Sequence, residues 1–317
     1  MKKICLSLVT MLLLFSCQKE DSTNDTVAKI SKRACASQEV LERQLKENPG
    51  LGAKMAQIEN FTENAMLQNR LVNGKIEIPV VVNVLYRTTA ENISLTQIQS
   101  QIDVLNKDFN ALNSDYNQVP ALFSGVKANV GISFVLDQVI RKSTTKSSWG
   151  TRDAIKKTKS GGLNPTSPTT KLNIWVGTIG GGILGYAQFP GGSSATDGVV
   201  IDPLYFGVYS NSSSSYPYNL GRTATHEIGH WLNLRHIWGD ANCGNDLVAD
   251  TPNHDSANFG VPTYPHYSTC AGTPVEMTMN YMDYSDDRGM YMFSLGQKSR
   301  IDAIFLSGGP RFSFAQP

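Results

Sequence analysis

The chain has 317 residues, room for one large domain or two small ones, and its 40% hydrophobic and 17% charged residues are ordinary for a core-forming protein. With 28 basic and 27 acidic residues the net charge is +1, which removes any electrostatic case for nucleic acid or an anionic membrane surface as a partner. The 27 glycines and the stretches rich in Ser, Asn and Thr point to many loops rather than a helical bundle.

At the N-terminus Lys2 and Lys3 precede an apolar run, Ile4 to Phe15, shorter than the ~20 residues that a membrane span needs. Residues 1–17 therefore read as a targeting segment outside the fold. The run ends Leu14-Phe15-Ser16-Cys17, which resembles a bacterial lipobox with Cys17 as the lipidated residue. The alternative is an ordinary signal peptide that ends near a Cys. Lys19-Glu20-Asp21 resembles the surface-export signal of some bacterial lipoproteins, and the polar stretch to about Lys32 reads as a tether. The expectation is an exported chain, lipid-anchored at the outer membrane or cell surface, with later shedding left open. Cys5 lies in the targeting segment and Cys17 would carry lipid. Cys35, Cys243 and Cys270 remain, in a compartment that permits disulfides; two of them can pair and one is left over.

Two short helical patterns follow. Ser37 to Asn48 carries Val40, Leu41 and Leu45 and reads as stopped by Pro49-Gly50; the second runs from about Ala53 to Gln68. Both are too small to hold a core and need another surface. Asn73-Gly74 marks a turn. From Ile76 to Leu85 the chain reads as a β-branched strand, with Pro79 at its start or on an edge. Leu95 to Leu112 places Ile98, Ile102, Leu105 and Phe109 at helical spacing. Strands are expected at Gly131 to Ile140, Lys171 to Gly177 and Val199 to Ile201. Gly180 to Gly192 is loop-rich, a helix is expected from about Leu220 to Leu232, and a last one at Leu295 to Leu306. This order predicts an α/β (α+β) fold, with sheet and helices in an upper half, a loop-rich lower half and a cleft between them. The predicted division is 1–17 targeting segment, 18–75 tether and small helical segment, and 76–317 as one domain.

The stretch that carries chemistry is His226-Glu227-Ile228-Gly229-His230-Trp231-Leu232-Asn233-Leu234-Arg235-His236. His226 and His230 share a helix face one turn apart and can hold one zinc ion at about 2.0–2.1 Å. Glu227 flanks that face and suits a general base acting on water. On a continuing helix His236 would lie about 15 Å further along. To reach the same ion the chain must fold back near position 233, in left-handed backbone that Gly and then Asn tolerate best; Asn233 stands there. Three His ligands leave one position open, the mark of a catalytic zinc. Of five His in the chain, three fall in this eleven-residue window, which argues against chance spacing.

These residues resemble the metzincin pattern H-E-x-x-H-x-x-G-x-x-H with its following Met-turn, for which Asn280-Tyr281-Met282-Asp283-Tyr284 is the candidate; Asn233 in place of Gly is the one departure. Together with Ile78-Pro79-Val80-Val81-Val82, Gln97 to Asn106 and Asp250-Thr251-Pro252, they resemble the pappalysin-like metzincins, the group of cytophagalysin, ulilysin and mirolysin. The resemblance runs from about Cys35 to the last helix. It implies a twisted mixed sheet, a catalytic zinc, and endopeptidase action on protein or peptide substrates by a monomer. It also implies Met282 as the floor beneath the imidazoles and Tyr284 as the stabiliser of the oxyanion. Substrate would add to an exposed edge strand, with Gly180 to Gly182 and Leu184 to Phe189 as lining. A zinc hydrolase with a Glu ligand is disfavoured by His236. A non-catalytic lipoprotein with a relict metal site is disfavoured by Glu227. A structural zinc module would favour four protein ligands.

Four finer expectations follow. Cys243 and Cys270, both between the zinc motif and the Met-turn in a region poor in regular structure, are expected to pair. Asp246, Asp250 and Thr251 resemble a calcium-binding segment; the alternative is a solvated acidic loop. Relatives with a basic preference after the cleaved bond use an acid shortly after the Met-turn. Here the position falls on Arg288, which would repel basic side chains, or on Asp287, which would accept them. Finally, Arg33-Ala34-Cys35-Ala36 resembles the cysteine-switch of pappalysin-like zymogens. Cys35 would hold the zinc and Arg33 would help seat the segment, with processing near Arg70 to Lys75; the alternative is an idle thiol.

Overall fold

The computed structural model describes residues 32–67, 76–208 and 217–315. It starts with two helices, α1 (Ser37–Glu47) and α2 (Pro49–Leu67). Pro49-Gly50 does not separate them as expected. Pro49 is the first residue of α2, a position where its missing N–H costs no hydrogen bond. Only Asn48 lies between the helices, so they form a tight hairpin against the rest of the molecule.

Next come β1 (Ile76–Tyr86), α3 (Leu95–Phe109), β2 (Lys127–Ala128), β3 (Ile132–Ser143), β4 (Leu172–Val176), β5 (Gly185–Ala187) and β6 (Val199–Ile201). Five of these strands form one sheet in the order β3-β1-β4-β6-β5, parallel except for the antiparallel β5–β6 pair. The sheet is therefore mixed, as expected. β1 and β4 are internal, which is why they read as nearly continuous apolar runs and not as alternating ones. Pro79 sits inside β1, opposite Val135 of β3, but pairing with β4 begins only at Val80, so Pro79 has no neighbour on that side. α3 is capped by Ser94, whose hydroxyl accepts from the Gln97 N–H at 3.0 Å, and buries Ile98, Ile102, Leu105 and Phe109.

α4 (Arg222–Trp231) runs through the middle of the molecule with all ten residues buried. Between α4 and β7 (Phe293–Ser294) there is no α-helix and no strand beyond isolated bridges, and a Cys243–Cys270 disulfide closes this lower half. The last α-helix, α5 (Leu295–Ile304), opens with a capping box between Ser294 and Gln297 and packs against α2.

Candidate active site

α4 carries His226, Glu227 and His230 and ends at Trp231, with Leu232 as its C-cap. The stop is a Schellman motif: Asn233 N–H donates to the His230 carbonyl at 2.9 Å, and Leu234 N–H reaches back to the Gly229 carbonyl at 2.9 Å. Asn233 holds the left-handed conformation, with φ 74°. The chain then turns back and delivers His236. The Nε2 atom of His230 lies 3.2 Å from that of His226 and 3.1 Å from that of His236.

Each imidazole is oriented by an oxygen behind it. Nδ1 of His226 bonds the Tyr281 carbonyl at 2.7 Å, Nδ1 of His230 the Leu234 carbonyl at 2.8 Å, and Nδ1 of His236 the Asp240 carboxylate at 2.5 Å. An oxygen acceptor at Nδ1 places the proton there and leaves the Nε2 lone pair free for a metal. Burial pushes His230 down to about 3 and His226 well below its ordinary value, so both are neutral, the form that binds a cation. Cys35 Sγ joins the three nitrogens in a cluster whose atoms all lie within 4.8 Å of one another. Three imidazoles and a thiol fit zinc by number and softness.

Glu227 is 1% exposed, and burial raises its carboxyl to about 7. Its Oε2 accepts from Ser37 Oγ at 2.7 Å and from the Cys35 thiol at 3.2 Å. Tyr284 stands over the cluster, its ring centroid 5.0 Å from that of His236, and its hydroxyl donates to the Cys35 carbonyl at 3.2 Å. Burial pushes its phenol well above the ordinary value, so it remains a donor. Met282 lies beneath: a Cβ placed on Gly229 would come 2.4 Å from the Met282 sulfur. The glycine inside the zinc motif is what lets the methionine floor approach. Asn280 holds that turn through a pair of amide bonds with Gln297, at 2.8 and 2.9 Å.

The segment 33–37 lies against β5 as an added parallel strand. Leu184 N–H donates to the Ala34 carbonyl at 2.9 Å and Ala36 N–H to the Gly185 carbonyl at 3.1 Å. Ala187 N–H donates to Ser37 Oγ at 2.8 Å. Arg33 is buried close to the histidine cluster. Its guanidinium pairs with Asp287 at 2.5 Å, donates to Thr223 Oγ1 and the Ser285 carbonyl at 3.3 Å each, and faces the Tyr218 ring. Of the two candidates for the specificity position, Arg288 is exposed, while Asp287 is fully buried and held by the Leu220 and Arg222 N–H groups.

The acidic loop divides. Thr251 Oγ1 lies 3.0 and 2.9 Å from the two Asp246 carboxylate oxygens and 2.9 Å from the Val248 carbonyl. One hydroxyl has one proton and cannot serve three acceptors. Asp246 is buried with no ion-pair partner among the described residues, and burial raises it to about 6. Asp246 Oδ1 also accepts from the Val248 N–H at 3.1 Å. Asp250 does not share the cluster: its oxygens accept from Ser294 Oγ at 2.6 Å and Gly296 N–H at 2.8 Å, at the start of α5.

Cys17 and the stretch Arg70 to Lys75, where processing is expected, lie outside the described residues. The sequence reading missed Ser37 on Glu227, Asp240 behind His236, and the ion pair of Glu59 with Arg300. All join residues far apart in the chain or across a turn, and no local pattern marks them.

Three histidines with free Nε2 atoms, a carboxylate beside them, a phenol above and a methionine turn below define a zinc metalloendopeptidase of the metzincin kind. The Peptidase M43 family, described as pregnancy-associated plasma protein-A, matches residues 172–305. An extracellular metalloprotease of Pyricularia oryzae is 33% identical over 73% of this chain and 75% of its own length. One from Arthroderma benhamiae is 32% identical over 71% and 76%. Mature mirolysin of Tannerella forsythia in complex with a cleaved peptide superposes with a TM-score of 0.73 at 41% identity, covering 77% of this chain and 97% of that one. A promirolysin mutant from the same organism superposes with a TM-score of 0.81 at 38% identity, covering 89% and 97%. The chain belongs to the pappalysin family of metallopeptidases.

Proposed function

We propose that this metalloendopeptidase is made as a latent, exported precursor, blocked by its own segment 32–67, and that the processed enzyme cleaves in front of Arg or Lys. The observation that carries the reading is Cys35 Sγ gathered with the three histidine nitrogens while its neighbours hydrogen-bond to β5. A thiolate binds zinc at about 2.3 Å and takes the position that water needs. The likeness to a pro-form, which covers more of the chain than the likeness to a mature form, supports latency. Relatives named extracellular support export. A lipid anchor at Cys17 rests on the lipobox likeness alone.

Zinc, when bound, supplies Lewis acidity and brings the pKa of water to about 7. The protein does the rest. With Cys35 and Ser37 gone, Glu227 takes a proton from the attacking water and later gives it to the leaving amine. The Tyr284 hydroxyl, no longer engaged by the Cys35 carbonyl, donates to the oxyanion. Leu184 N–H and the Gly185 carbonyl, which hold the segment in the precursor, are free to orient an extended substrate on β5. Asp287 receives the basic side chain after the cleaved bond in the pocket that Arg33 fills.

The test compares purified precursors on peptides with Lys or Arg after the bond. Cys35→Ala should release activity at least about tenfold above the wild-type precursor, and Glu227→Ala or a chelator should remove it by about 10²–10⁴-fold. A wild-type precursor as active as Cys35→Ala would sink the latency reading. Unchanged selectivity for Lys and Arg in processed Asp287→Asn would sink the specificity reading. A calcium ion held by Asp246, Val248 and Thr251 should raise the melting temperature in a calcium titration of the wild type but not of Asp246→Ala.

A further inference from the structure

One strong ion pair of the precursor plays no part in the chemistry above. Glu59 of α2 meets Arg300 of α5 with both oxygens on both terminal nitrogens, each at 2.5 Å. The Arg300 side chain is 1% exposed, and its Nε donates to the Asn233 carbonyl at 2.8 Å. The guanidinium is therefore fixed from behind, and its two-nitrogen fork faces the place that α2 occupies. Asp246 also feels its charge but forms no salt bridge with it.

Beside Glu59, α1 and α2 do not fill the surface they cover. A cavity of about 480 Å³ remains between them and Phe189, Pro190, Asn233 and Arg235 of the catalytic domain. Removal of segment 32–67 would open this cavity into a groove. The groove has an apolar wall at Phe189 and Pro190 and one lining cation, Arg235; Arg300 does not line the cavity but lies directly behind Glu59 and Asn233, which do, so loss of Glu59 would uncover it. Buried Arg300 would lose its carboxylate, and an unpaired guanidinium with free donors is a carboxylate receptor.

The direction of the groove follows from α4. Asp287 is bound to the backbone at the start of α4, and Arg300 to Asn233 just past its end. Ten residues of helix separate these sites by about 15 Å. Along β5, Arg33 lies on the Asp287 side of Cys35, and Ser37 lies on the other side against Ala187, which leads to Phe189. If Asp287 reads the residue after the cleaved bond, the Arg300 groove lies along residues before it.

We propose that in the processed enzyme Arg300 binds an acidic side chain of the substrate several residues before the cleaved bond. Glu59 occupies that site in the precursor as a mimic. The proposal rests on the specificity reading at Asp287 for its direction. The enzyme would then read opposite charges at the two ends of its active-site helix, an acid upstream and a base downstream.

The experiment uses processed wild-type enzyme and peptides with Lys after the bond, carrying Glu or Gln at successive upstream positions. At one position the Glu peptide should have a kcat/KM about tenfold above its Gln twin, the size expected for one charge-assisted pair. The ratio should shrink as salt is raised. In Arg300→Gln it should fall to about one, whatever happens to both rates, and in Arg300→Lys it should lie between. The ratio is the readout because Arg300 also supports Asn233, and its loss can lower both rates together. A wild-type ratio near one at every position overturns the proposal, and this arm needs no variant to fold. So does a ratio that survives in Arg300→Gln, with Arg235→Gln then identifying the cation that reads the acid. Failure to cleave any Lys peptide overturns the Asp287 reading and this one with it. Cleavage without a Glu preference overturns this one alone.

Discussion

Asn233 and Asp287 show how much a single residue decides here. Asn233 has φ 74°, a region that Gly enters freely, Asn tolerably and β-branched residues at a cost of about 1–3 kcal/mol. Asn233→Gly should keep full zinc content and stability, while Asn233→Val should lower the melting temperature and weaken zinc retention during dialysis. Equal behaviour of the two would deny the hinge its role. At the Asp286-Asp287-Arg288 turn, the side that faces the pocket could not be read from the sequence. Neighbouring residues of a short 3-10 turn point in different directions, and only the packing against Leu220 and Arg222 settles which one is buried. Asp202 gives a pH signature. Burial holds its carboxyl at about 6, above the ordinary 3.8, although it accepts from the Ile179 and Leu204 N–H groups. A raised folded-state pKa means its stabilising share is complete below pH about 4 and is lost as pH rises through about 6. The melting temperature of Asp202→Asn relative to the wild type should therefore climb between those values. A difference that stays flat with pH would refute the assignment.

At the level of elements, α4 and the Met-turn form one unit. The periodicity of α4 located the helix to within two residues, but its burial on every side was not visible in that pattern. The close approach of Gly229 to Met282 explains why the zinc helix carries a glycine despite its poor helix propensity. Gly229→Ala should cost about 1–3 kcal/mol in denaturant unfolding through overpacking. If the clash with the Met282 sulfur is the cause, adding Met282→Ala should cost less in the Gly229→Ala background than in the wild type. Additive losses would place the strain elsewhere. β5 was legible only as a stretch near Leu184 to Phe189. Its three residues are too few for a periodic signal, and its role as the sheet edge comes from pairing with β6.

Across the whole molecule, segment 32–67 is held at widely spaced points. Arg33 pairs with Asp287, Ser37 with Glu227, Arg43 with Asp153 at 3.1 Å, and Glu59 with Arg300. Val40, Leu51 and Ala65 are buried along its length. A single cut within 68–75 would break none of these contacts. Singly cut precursor should therefore keep the segment through gel filtration without denaturant and remain inhibited, and Arg33→Ala should speed its release. Immediate separation of wild-type segment and catalytic chain after that one cut would contradict this view.

The sequence alone singled out the histidine triad and Glu227, the backbone reversal at Asn233 and most helices and strands. Each rests on a short-range regularity, a spacing of four along a helix or a β-branched run, that needs no knowledge of distant residues. It also pointed to Cys35 and to the Cys243–Cys270 pair, because an exported chain leaves few thiols to account for. Only the tertiary structure buried Asp287 and left Arg288 exposed, put Asp246 but not Asp250 beside Thr251, and joined Glu59 to Arg300. Those outcomes depend on which side chains, separated by tens to hundreds of residues, are brought together and shut off from water. Burial and partnership of that kind are properties of the assembled fold and leave no periodic trace along the chain.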